Sequence, residues 1–66
     1  MRTQLKVFRV VQNMSQREIS EKMGCKRAYY GHVENGLRNG SSEFWGKLQA
    51  AFGLTDVVVE ELKKVD

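Results

Sequence analysis

A chain of 66 residues with 11 lysines and arginines, 8 acids, a net charge of +3, one cysteine and one histidine has room for one domain. Its core hides only about 60% of the unfolded surface. One thiol excludes an internal disulfide, one Cys with one His makes no metal-ligand set, and the short apolar runs exclude a bilayer span or a signal peptide. Helix packing and a partner subunit must then supply the stability, no cofactor is expected, and a cytoplasmic location follows by default. The charge is uneven. Residues 1–40 hold eight lysines and arginines against three acids, whereas residues 41–66 hold three against five. The N-terminal part has the sign needed to meet phosphate.

Leu5, Phe8 and Val11, with Val7 and Val10 widening the stripe, predict a first helix over residues 3–12 with these side chains inward. Asn13-Met14-Ser15 breaks it. Ser15 with Glu18 three residues on forms a capping box for a second helix, in which Ile19 and Met23 face the core beside small Ser20. Gly24 supplies the left-handed geometry that ends a helix within one residue. Cys25, just after it, reads as a small buried hydrophobe. A third helix starts near Lys26, turns Tyr30 and Val33 inward, and stops at Asn35-Gly36.

Residues 35–42 hold two glycines, two asparagines and two serines and predict a loop. It lacks the Lys-Ser/Thr ending of a nucleotide phosphate loop. A fourth helix from about Ser42 to Phe52, capped by Ser41 or Ser42, turns Trp45, Leu48 and Phe52 inward, with Phe44 and Ala51 beside them. Gly46 within it costs about 1 kcal/mol relative to alanine, which implies a close neighbour. Gly53 ends that helix. A fifth, Thr55 to about Val65, has Thr55 as cap, Asp56 in its first turn and Lys63 and Lys64 near its end, matching the helix dipole. Val57, Val58 and Leu62 can cover the core. Three consecutive valines exceed one face, so Val59 or Val58 should stay partly exposed.

Two helices joined by a tight glycine turn form a helix-turn-helix unit, whose second helix can enter the DNA major groove. Ser15-Gln16 opening a helix, a small residue at 20, Gly24, an apolar residue at 33 and then Glu34-Asn35-Gly36 stand here in order. This set resembles the Cro/repressor (Xre-type) family of bacterial and phage regulators from about Leu5 to Leu62. The resemblance implies an all-α, compact five-helix domain of the phage-repressor type spanning residues 1–66, its helix-turn-helix formed by helices 2 and 3. It also implies an Arg9–Glu34 ion pair and base-edge contacts by Arg27, Ala28 and His32. Phosphate contacts are implied for Gln16, Lys26, Tyr29, Asn35, Arg38 and Asn39, with Tyr29 exposed. A two-fold contact through the last helix would use Val58, Val59 and Leu62. Three residues depart from the family pattern. Lys26 replaces a small cap residue, Tyr30 takes a site normally aliphatic, and Gly40 stands where proline is usual, which predicts a more flexible loop.

An arginine at the start of a recognition helix can bond O6 and N7 of guanine together, and Ala28 can offer a methyl contact to thymine. The resulting expectation is a sequence-specific regulator of double-stranded DNA, a dimeric repressor on a pseudo-palindromic operator, with no small-molecule ligand and no membrane partner. The alternative is a protein-interaction module, antitoxin-like or adaptor, that keeps the fold without specific DNA binding. Ala28 and Gly31 on the reading face and the modest net charge favour that alternative. No acid–base or nucleophile constellation points to an enzyme.

Overall fold

Five helices and their connections make up the computed structural model, which describes residues 1–66: α1 Thr3–Val11, α2 Gln16–Met23, α3 Arg27–Glu34, α4 Ser42–Phe52 and α5 Asp56–Lys63. Local chemistry explains most of the helix ends. At the start of α2, Ser15 Oγ accepts from the Glu18 amide at 3.1 Å, and Glu18 Oε1 accepts from the Ser15 amide at 2.9 Å. That backbone donor holds the Glu18 carboxyl below its ordinary value. Its contribution is present above the ordinary carboxylate pKa and is lost as pH falls through the lowered one. Ser41 and Thr55 cap α4 and α5 in the same way, accepting from Phe44 and Val58. Gly24, at φ +80°, closes α2 in the left-handed conformation. Lys26 gives α3 no side-chain cap.

The start of α1 is different. Its own N-cap residue, Arg2, is a donor only and accepts no cap bond, and Asp66 supplies the acceptor instead. The Asp66 carboxylate accepts from the Thr3 amide at 3.2 Å and from the Thr3 hydroxyl. A negative group therefore sits at the positive end of the α1 dipole.

The core gathers Leu5, Ile19, Met23, Tyr30, Val33, Phe44, Trp45, Leu48, Val59 and Leu62. Phe44 is its aromatic hub, edge-on to Trp45 at 4.9 Å and to Tyr29 at 5.5 Å. Phe8 meets Phe52 edge-on at 5.0 Å outside that hub. Cys25 packs against the core's margin, and burial raises its thiol pKa.

Several expectations are corrected by this packing. Val11 does not face inward; it is 74% exposed, and Val7 and Val10 are also exposed. The inward side of α1 carries Leu5, Phe8 and Arg9, and at 100° per residue Val7, Val10 and Val11 then point the other way. On α5, Val59 and Leu62 belong to the domain's own core, so of the expected dimer residues only Val58 offers surface, with Val57 beside it. Gly46 has no close neighbour: a Cβ built there meets nothing within 4 Å. Gly46→Ala should therefore stabilise the domain by about 0.5–1 kcal/mol, measured as a higher urea midpoint at unchanged m-value.

Tyr30 lies wholly inside the core, where the resemblance implies an aliphatic side chain, but its hydroxyl has no hydrogen-bond partner. Burial and the neighbouring Glu34 carboxylate push the phenol pKa well up. A buried hydroxyl without a partner loses hydration for nothing, so Tyr30→Phe should gain about 1 kcal/mol in urea denaturation. A loss of similar size would mean that the hydroxyl is bonded.

Candidate nucleic-acid interface

The second helix of the pair is buried on one side by Tyr30, Gly31, Val33 and Glu34, which leaves Lys26, Arg27, Ala28 and His32 in solvent. Gln16, the first residue of α2, lies across α3 at Gly31; its Oε1 is 3.1 Å from where a Cβ would stand. Gln16, Arg27, Ala28, Gly31, His32 and Asn35 together line one open concavity of about 380 Å³. The residues expected at base edges thus share a surface with two of those expected at phosphates.

Behind this surface lies a buried carboxylate. Glu34 is 1% exposed, and Arg9 reaches it with Nε at 3.1 Å from Oε2 and Nη2 at 3.1 Å from Oε1. Gln16 Nε2 donates to the same Oε2 at 3.1 Å. A carboxylate accepts only, so the Gln16 amide is oriented with its nitrogen inward and its oxygen toward α3. Arg9 also donates to the Met14 carbonyl at 2.8 Å, holding the turn before α2. The Glu34 bonds raise the Arg9 pKa against the opposing effect of burial.

Tyr29 differs from expectation. Its ring is half-buried against Phe44, because α4 begins beside α3, and its hydroxyl accepts from the Ser41 amide at 3.0 Å. The side chain ties the loop to α3 and does not stand free at the flank.

In the loop, Asn35, Arg38 and Asn39 are exposed. The amides of Leu37 and Arg38 both donate to the His32 carbonyl, at 2.8 and 3.2 Å, closing the end of α3. The amides of Asn39 and Gly40 donate to nothing in the chain. Their carbonyl side is held by a residue that lies far away in sequence. Arg2 is 4% exposed, and its Nη1 donates to Val33 O at 2.6 Å and Arg38 O at 2.9 Å. Its Nη2 donates to Asn39 O at 3.3 Å and its Nε to Lys63 O at 2.9 Å. The guanidinium carbon stands 5.6 Å from the centre of the Trp45 ring, and Trp45 Nε1 shares the Asn39 carbonyl at 3.2 Å.

No carboxylate pairs with Arg2. The ends of α3 and α5 converge on it instead, and each helix C-terminus carries roughly half a negative charge. Arg2 and Arg9 are both internal, so the positive surface on the α3 side rests on Lys26, Arg27 and Arg38. In the sequence Arg2 is one of eleven lysines and arginines. The one local hint is that it fills the N-cap place of a helix without a capping side chain.

A helix-turn-helix family model matches residues 5–58. The chain belongs to the Cro/C1-type, Xre-like helix-turn-helix family. Searches of curated proteins and of solved structures gave no match. Membership in this family of DNA-binding regulators makes α2 and α3 its helix-turn-helix. Arg2 and Lys63 lie outside the matched residues. No helix is long and apolar enough to cross a membrane.

Proposed function

We propose that this family member is a sequence-specific repressor that acts as a homodimer, each copy laying α3 in the major groove of one half of a pseudo-palindromic operator. The observation that carries this reading is the convergence of Gln16, Arg27, Ala28, His32 and Asn35 on one solvent-facing surface of α3. Arg27, in the first turn, has the fork that bonds guanine O6 and N7. Ala28 suits a thymine methyl, and His32 lies one turn further along the groove. Lys26, Asn35, Arg38 and Asn39 flank them as contacts to phosphate.

A second copy has apolar surface to meet. Val57 and Val58 are exposed on α5 and Val7, Val10 and Val11 on α1, the helix packed beside it. Val65 joins Val7 along an open groove at the seam. Of the expected set of Val58, Val59 and Leu62, this surface keeps Val58 alone. One domain makes too few base contacts for selectivity, and two copies on half-sites about 34 Å apart double them. Occlusion of a promoter requires no further contacts, which favours repression.

Selection of bound duplexes from a random pool tests the proposal. Enriched sequences should be inverted repeats with half-site centres about one helical turn apart. Recovery of unrelated sequences would remove the specific-repressor reading, and a monomer at high micromolar concentration in sedimentation would remove the dimer. Arg27→Ala should cost about 1–3 kcal/mol on the selected site and relax preference at a single base pair. An equal loss on random duplex would instead make Arg27 a phosphate contact.

A further inference from the structure

Arg2 is a buried cation whose four hydrogen bonds all go to backbone carbonyls, and two of those carbonyls belong to the loop beside the reading helix. In a trans peptide the carbonyl and the N–H point in opposite directions, and no peptide bond of this chain is cis. The peptide whose oxygen is Arg38 O carries the Asn39 N–H; the peptide whose oxygen is Asn39 O carries the Gly40 N–H. Holding both oxygens inward therefore turns both hydrogens outward, and these are the two loop amides that donate to nothing in the chain. Successive outward amides make an anion-binding concavity, and a peptide whose oxygen already accepts from a cation is a stronger donor at its nitrogen.

We propose that Arg2 is the positioning residue of the DNA-contacting loop, its guanidinium drawing the Arg38 and Asn39 carbonyls inward so that the Asn39 and Gly40 amides face a backbone phosphate. This role rests on the DNA-binding reading above. Arg2 does not itself meet the nucleic acid, since it is 4% exposed. It also connects the loop to the last turn of α5 through Lys63 O, so the same guanidinium sets the spacing of two chain segments.

Amide NMR of the full chain titrated with a random-sequence duplex tests this. In the parent, the Asn39 and Gly40 amide protons should move downfield together with the exposed residues of α3. Arg2→Lys keeps the charge but replaces a five-donor fork by a single ammonium, which cannot serve four separated carbonyls. In that variant the two loop shifts should vanish while those of α3 persist. Affinity for random duplex should fall about tenfold at every salt concentration. The slope of log affinity against log salt should not change, because the lost contacts are uncharged and release no counterion.

Loop shifts retained in Arg2→Lys would overturn the proposal. So would a slope smaller by about 0.9, which would make Arg2 itself a phosphate ligand. A parent in which α3 moves but Asn39 and Gly40 do not would also overturn it and leave the DNA-binding reading standing. A parent in which no amide moves would remove both. If Arg2→Lys does not fold, Arg2→Gln is the second variant, and the parent titration decides the loop contact without any substitution.

Discussion

Arg9→Ala should leave little folded protein at 25 °C. The substitution takes two donors from a Glu34 carboxylate that is 1% exposed and leaves it only the Gln16 amide; it also strands the Met14 carbonyl. Removing one partner of a buried pair costs about 3–5 kcal/mol, because the other charge remains where water cannot reach it. A single core in a chain this short supplies roughly 3–5 kcal/mol in total, so the loss is comparable to the whole stability. Urea denaturation followed by circular dichroism measures it. Replacing both residues together, Arg9→Met with Glu34→Leu, should recover most of the loss, since an apolar pair needs no hydration. Arg9→Ala within 1 kcal/mol of the parent would mean that Glu34 reaches water once Arg9 is gone.

Gly40→Ala should cost roughly 2–4 kcal/mol, from two sources that add. The backbone at Gly40 has φ +79°, which disfavours any L side chain, and a Cβ there would lie 2.7 Å from Trp45 Nε1 and 3.1 Å from Trp45 Cε2. Trp45 cannot easily give way, because it is 5% exposed and its nitrogen is bonded to the Asn39 carbonyl. Gly24 provides the control. It has φ +80° but nothing within 4 Å of its Cβ, so Gly24→Ala isolates the backbone cost, about 1–2 kcal/mol. Equal losses for the two variants in thermal melts would show that Trp45 moves aside. A proline, which the resemblance implies here, could not adopt this angle, because its ring holds φ near −65°.

The helix ends were legible because caps are local. Ser15 with Glu18, Ser41, Thr55 and Gly24 each act within three or four residues of themselves, and α4 has the predicted bounds, Ser42–Phe52. The face of α1 was not legible in the same way. Periodicity continues the Leu5–Phe8 stripe to Val11, whereas the covered side carries Arg9, drawn in by Glu34, 25 positions away. The resemblance implies that pair and the stripe does not. The α5 valines pose the same problem. Val57, Val58 and Val59 have similar hydrophobicity, and only the placement of α1 and α4 determines that Val59 is covered. Tyr29 has a local spacing suited to solvent, yet its ring finds Phe44 across the loop. Arg2 is the least visible of all, since its partners are main-chain oxygens at 33, 38, 39 and 63, and no side-chain pattern marks an oxygen that any residue would provide.

The ring formed by Arg2, Lys63, Thr3 and Asp66 has a kinetic consequence. Contacts between successive helices form quickly, whereas closure over some sixty residues is slow and comes late. During refolding, α2 and α3, adjacent in the chain, can pair before residue 63 is brought back to Arg2. Until then the guanidinium lacks one acceptor and α1 lacks its cap. A refolding chain should therefore carry a complete reading helix beside an unfinished loop, and full competence for DNA should arrive only when this ring closes.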